Sequence, residues 1–355
     1  GNVTPSLFTA STVPAGGHLA IYTGADHDFN GIGLANHGTI DWVAGNLRSG
    51  NSGSITNAGT FNDFATGEFN NAWGGTAWQF YNTGTYRKVS GTTDVKIPFN
   101  NSGTVTTSGG TLLLNAGGTI ASGAVFDGAG QTLLNSGTFT ASGLFTSTNL
   151  VLTGTADLTG SSSLGGLFTW NAGSFNNGAT STIPAGATLL IATGNDHDFN
   201  GHAFVNNGVV NWTSGLLRSG NSGSFVYNAL FNDTASTTLN NAFGGTTWQF
   251  TNAATGTYKK SGTGTTTFTV PFNNAGTVTT ANGILSLNAG GAISAGALFD
   301  GAGQTVLNSG TFTASGLFTS TNLVLDGTAN LTGSSSLGGL FTWNAGSFNN
   351  GATST

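Results

Sequence analysis

Two short stretches of this chain carry alternating oxygen side chains of the kind that hold a hard cation. Asp26, Asp28 and Asn30, followed by Gly31, recur as Asp196, Asp198 and Asn200, followed by Gly201. This spacing matches the opening of a calcium loop, in which every second side chain faces the ion and glycine permits the sharp bend. The closing bidentate Glu of such a loop is missing, because the twelfth position is His37 in the first copy and Asn207 in the second. The competing reading is a strand that turns Phe29 inward and its polar neighbours outward. Calcium is the one cofactor the sequence suggests, with those six residues as its candidate ligands.

Other chemistry is thinner. A hydrolase or lyase of polysaccharides needs carboxylates and bases gathered in a cleft. Here several acids do not survive duplication: Asp41 becomes Asn211, Glu68 becomes Thr238 and Asp157 becomes Asn330. Asp63 and Asp127 persist as Asp233 and Asp300, but no acid–base pair is evident around them, so no catalytic residue is assigned and no enzyme is expected. Arg48 and Arg218, and the pairs Arg87-Lys88 and Lys259-Lys260, read as a solvated face. Trp42/Trp212, Trp78/Trp248 and Trp170/Trp343 could stack on sugars, yet their regular recurrence favours packing. The threonines around Val105 are similar to the arrays of ice-binding solenoids, but they are not sustained along the chain.

The elements that would position these residues follow from composition and repetition. Glycine numbers 59 in 355 residues and charged residues make up 6%. Each glycine inside a helix would cost about 1 kcal/mol relative to alanine, which argues against helices. A hydrophobic share of 37%, with 25 Phe, argues against disorder. Cysteine is absent, which removes disulfides and thiolate sites, and the net charge of −6 contains no basic block, so nucleic acid is not an expected partner. No stretch reaches the length of a transmembrane helix.

Repetition occurs at two scales. Residues 126–182 return as residues 299–355 with three differences, and landmarks of the first half recur 170 to 173 positions later. The extra residues of the second copy fall between Asn252 and Val270, where a loop is expected. The large repeats are placed at residues 1–181 and 182–355, continuous with each other, with Gly1 to Ser11 as the end of a preceding unit. Within them a phrase recurs: Asn, any residue, Gly, Thr or Ser, then a large apolar residue. It begins at Asn36, Asn57, Asn82, Asn101, Asn135 and Asn171. These intervals predict an all-β, parallel β-solenoid (β-helix) of roughly 18 coils of about 20 residues each.

Asn and Gly tolerate positive φ, and an Asn side chain can bond its own backbone, so the phrase turns the chain. Stacking should then align Ile40, Phe61, Tyr86, Val105, Phe139 and Phe175 in an interior column and the Asn residues in an amide ladder. Outward, Asp41 and Arg87 should lie two coils apart with Asn62 between them.

The stretches at residues 99–118 and 167–189 resemble the glycine- and asparagine-rich β-solenoid repeats of large bacterial surface proteins, filamentous-haemagglutinin-like adhesins and autotransporter passengers. The resemblance implies a secreted or surface-displayed bacterial fibre, stalk or adhesin. The chain lacks Met, begins at Gly1 and carries no capping motif at either end. Copies are therefore expected to stack head to tail on one another. Surface glycans are the alternative partner.

Overall fold

A computed structural model describes residues 10–176 and 178–349. The chain is all-β, a parallel β-solenoid of about 16 turns. By contacts it divides into residues 1–169 and 170–355. The tail expected at Gly1 to Ser11 falls outside the described residues up to position 9, as do the ends Gly1 and Thr355.

In most of the first unit each turn contributes three short strands, and each strand pairs with its equivalents in the turns before and after; near its end Gly143–Leu152 is a single ten-residue strand that pairs with both Val125–Asp127 and Gln131–Leu134. One ladder runs through Gly33–Asn36, Ser54–Asn57, Gln79–Asn82 and Phe99–Asn101. A second runs through Thr39–Trp42, Thr60–Asp63, Thr85–Lys88 and Thr104–Thr107. A third joins His27–Asp28, Leu47–Arg48 and Gly67–Asn70. The second unit has the same three-ladder construction, for example through Val209–Trp212, Leu230–Asp233 and Thr257–Lys260. Turns vary in length, from 17 residues between Leu331 and Phe348 to 29 between Leu239 and Phe268, which is why there are fewer than a uniform period gives. The extra residues of the second copy lie in the turns on either side of the strand Thr257–Lys260.

Alternation along these four-residue strands buries every second side chain. Ile40, Phe61, Tyr86 and Val105 are in register and fully buried, and the column continues to Phe126. The Phe61 and Tyr86 rings stack at 5.3 Å between centroids. Burying each such ring contributes roughly 1.5–3 kcal/mol. Phe139 does not join this column: it sits between Gly118 and Leu158 on another ladder. The phrase at Asn135 turns a different corner of the coil from the one at Asn36, a distinction that spacing alone does not carry. Phe175 belongs to the second unit.

The amide ladder forms along the first corner. Asn36 Nδ2 donates to Asn57 Oδ1 at 2.6 Å, Asn57 to Asn82 at 2.8 Å and Asn82 to Asn101 at 2.8 Å, all buried. Asn36 Oδ1 also accepts the Gly38 N–H at 3.1 Å, the local turn bond expected of Asn. The glycine two residues on has a different task from the one expected. Gly38, Gly59, Gly84 and Gly103 do not need positive φ; a Cβ at Gly59 would stand 2.2 Å from the Gly38 carbonyl oxygen, and one at Gly84 2.3 Å from that of Gly59. Glycine is required there because successive corners stack backbone on backbone.

In the second unit the residue in register between Asn206 and Asn252 is Tyr227, which interrupts the ladder. The Tyr227 hydroxyl and Asn252 Oδ1 are buried without a hydrogen-bond partner. Asn57→Leu should reproduce that break in the first unit. It removes the acceptor of one Asn36 bond and the donor to Asn82, so a loss of about 1–2 kcal/mol is expected. Thermal melting of the variant checks this.

Candidate functional site: an exposed aromatic and ionic shelf

The calcium-loop residues come together on the surface of the first unit, but around a side-chain cation. His27–Asp28 pairs with Leu47–Arg48, which sets Asp28 beside Arg48 on the next turn. Arg48 Nε donates to Asp28 Oδ1 at 2.7 Å, Nη2 to Asp28 Oδ2 at 2.9 Å, and Nη1 lies 2.7 Å from Asp26 Oδ2. Asn46 Nδ2 donates to the remaining Asp26 oxygen at 2.8 Å, and Asn51 Nδ2 to Asn30 Oδ1 at 2.9 Å. The second unit repeats the arrangement: Arg218 bridges Asp196 at 2.6 Å and Asp198 at 2.7 Å, and Asn221 donates to Asn200 at 2.9 Å.

Every oxygen of the calcium proposal in the first unit thus already accepts from Arg48, Asn46 or Asn51. A guanidinium in two-pronged contact with a carboxylate supplies the positive charge that an ion would have brought. Among the described residues no three His, Asp or Glu side chains form a metal-binding group. Melting at equal ionic strength is therefore expected to be the same in calcium and in chelator. A rise in Tm specific to calcium would support the metal reading.

Trp73 completes the shelf, and sequence reasoning missed it. Its loop is held against the shelf by backbone bonds from Asn51 N–H to the Gly74 carbonyl at 3.0 Å and from Ser52 N–H to that of Thr76 at 2.9 Å. Asn51 and Ser52 both occupy the left-handed region, with φ of 48° and 64°, and Asn221 and Ser222 do the same at 49° and 66°. Two consecutive non-glycine residues in that conformation mark a backbone held by its surroundings. The Trp73 indole is 48% exposed and its N–H reaches Asp28. The Arg48 guanidinium, and after it the indole, hold the Asp28 carboxyl below the usual carboxylate range, with burial opposing them. In the second unit Phe243 takes the position of Trp73, 40% exposed, with the Arg218 guanidinium 5.8 Å from the ring centroid. The signal in the sequence was the recurrence of Asn-Asn-Ala-Trp-Gly-Gly as Asn-Asn-Ala-Phe-Gly-Gly at residues 70–75 and 240–245.

The tryptophans considered for sugar stacking are elsewhere. Trp42, Trp78, Trp170, Trp212 and Trp248 are fully buried, and each indole N–H donates to a backbone carbonyl, as Trp78 does to Asn70 at 2.7 Å. Trp343, in the last described turn, is 60% exposed. The outward file of Asp41, Asn62 and Arg87 is in register, and Asn62 Nδ2 bonds Asp41 at 2.8 Å. Arg87 faces outward from that file, whereas its neighbour Lys88 is buried, against the reading of the basic pair as a solvated face.

Asp63 and Lys88 form a second cluster, inside the first unit. Lys88 Nζ lies 3.0 Å from Asp63 Oδ1 and donates to Thr93 Oγ1 at 2.7 Å and to the Ala65 carbonyl at 2.5 Å. Asp63 Oδ2 accepts from the Tyr86 hydroxyl at 2.5 Å and from Thr93 Oγ1 at 2.6 Å. Burial pushes the Asp63 carboxyl up and the Lys88 amine down, which draws the pair toward its neutral form.

No family model matches the chain, and no curated protein matches it. Among solved structures it is similar to the crystal structure of a TibC-catalyzed hyper-glycosylated TibA55-350 fragment, at 16% identity over 97% of this chain and 98% of that one, with a TM-score of 0.34. A likeness of that strength carries no functional argument.

Proposed function

We propose that this chain is a structural, non-enzymatic length of β-solenoid in a secreted or surface-displayed bacterial fibre or stalk, to which further coils or further copies add by stacking. The observation that carries the reading is the parallel turn-to-turn pairing of strands through each unit, with the interior filled by aromatic and aliphatic columns. Such a ladder can be extended by any coil of matching register, because each exposed edge presents a full row of backbone donors and acceptors. Among the described residues no helix is long and apolar enough to cross a membrane. Negative-stain microscopy of purified protein is the test. Filaments whose width matches a single solenoid support stacking; uniformly monomeric, soluble particles at high concentration count against it.

A second reading, that the same surface adheres to glycans, rests on the shelf. An exposed indole edged by carboxylate, guanidinium and carboxamide groups offers a stacking face for a sugar ring and hydrogen bonds for its hydroxyls. Trp73→Ala should then weaken oligosaccharide binding about tenfold or more without changing the melting temperature. Glycan-array and calorimetric titrations measure it. Binding that survives the substitution, or no binding by the unmodified protein, removes this reading.

A further inference from the structure

We infer that Lys88 and Asp63 are the two halves of an internal amide cross-link that joins successive coils of the first unit. The two residues are direct register partners on adjacent turns, and both side chains are fully buried. Lys88 Nζ is held 3.0 Å from Asp63 Oδ1 by its bonds to Thr93 and Ala65. Asp63 is polarised asymmetrically. Two hydroxyl donors, from Tyr86 and Thr93, converge on Oδ2, while Oδ1 accepts the Ala65 N–H at 3.0 Å and faces the amine. That is the distribution amide formation requires: donors on the oxygen that carries developing negative charge, and a nucleophile next to the oxygen that leaves.

The balance closes without a further reagent. The proton of the ammonium passes to the carboxylate, giving a neutral amine and a carboxylic acid. The Nζ lone pair attacks Asp63 Cγ, the Nζ–Cγ bond forms, and Oδ2 takes the charge between its two donors. The Cγ–Oδ1 bond then breaks, Oδ1 takes a second proton from Nζ and leaves as water, and a secondary amide remains. Burial favours the neutral reactants, since it raises the acid and lowers the amine, and a dry interior opposes the reverse hydrolysis. The product would tie turn to turn along the stacking direction, in a chain with no cysteine to do so by a disulfide.

The second unit provides an internal comparison. Tyr258 and Thr266 converge on Asp233 Oδ2 in the same way, at 2.7 and 2.5 Å. Lys260 Nζ, however, is turned to Ser236 Oγ and the Gly262 carbonyl, each at 2.9 Å. Cross-linking is therefore assigned to the first unit.

Mass spectrometry of the denatured full chain after trypsin decides the matter. The expected products are a branched species joining residues 49–87 to residues 88–96, lighter than the two peptides by one water, and ordinary cleavage after Lys260. Lys88→Arg, which keeps the charge but has no acylable amine of that kind, should restore the full intact mass. Recovery of both peptides unjoined from the unmodified protein would overturn the proposal. So would loss of water confined to the peptide that contains Asp63, which is succinimide formation. Equal linkage at Lys260 would overturn the distance argument.

Discussion

Lys88→Met is expected to destabilise the first unit by about 3–5 kcal/mol at neutral pH, because it strands a buried carboxylate without its cation. Asp63 would keep the bonds from Ala65 N–H, Tyr86 and Thr93 but lose the only charge that compensates its burial there. The penalty should depend on pH in a particular direction. Burial is the largest influence on the Asp63 carboxyl and raises it, and without Lys88 nothing of opposite charge pulls it back. A group whose folded pKa lies above its unfolded value weakens the fold at high pH and ceases to do so once both states are protonated. The variant should therefore regain stability, relative to the unmodified protein, as pH falls from neutral into the acid range. Replacing both members, Asp63→Leu with Lys88→Met, should recover the part of the loss that comes from the stranded carboxylate, leaving the loss of the cross-link itself. Lys260→Met should cost less, because the ammonium there bonds Ser236 and Gly262 rather than Asp233. Limited proteolysis of each unit, together with denaturant midpoints across pH, separates these outcomes. A pH-independent loss in the Lys88 variant would show that Asp63 is not what the lysine satisfies.

This cluster also shows where the sequence was legible and where it was not. The parallel ladders and the amide corner follow from a repeated phrase, because turn chemistry and period-2 alternation act locally, whereas the three-strand cross-section of the turn does not. The register of Asp41, Asn62 and Arg87 could be counted from the phrase alone, and the structure has it. The same counting places Asp63 and Lys88, each two residues beyond an inward aromatic, inside the coil. Their persistence as Asp233 and Lys260 was visible as well. They were passed over because charged side chains are read as outward by default, a rule that fails where two of opposite sign stack in register. Trp73 was missed for the opposite reason. Its place depends on a loop pinned by the left-handed pair Asn51 and Ser52, a tertiary arrangement that no local pattern encodes. The candidate calcium ligands were read without Arg48, because the guanidinium arrives from the next turn, 20 residues away.

The second unit should lose stability as pH falls below about 6.5, and His202 is the principal cause. Its ring is fully buried, packed against the Phe175 and Phe204 rings at 5.3 and 5.0 Å, with Nε2 3.0 Å from Ser181 Oγ. Burial lowers its pKa from 6.5 to about 4. Between those values the unfolded chain binds a proton that the folded chain refuses, so unfolding gains ground as acid is added. Integrated across the window, the effect amounts to about 3 kcal/mol. It is absent above pH 6.5 and complete near pH 4. His197 acts in the same direction, because burial lowers its pKa too, against its contacts with the Ala192 and Trp170 carbonyls at 2.9 and 3.1 Å. The first unit has Ile32 where the second has His202. His202→Ile should accordingly flatten most of the slope of denaturant midpoint against pH between 6.5 and 4, leaving the part due to His197. Tryptophan fluorescence can follow the second unit through Trp212 and Trp248, which are buried in its core. If the slope persists unchanged in His202→Ile, the acid sensitivity belongs to the carboxylates instead.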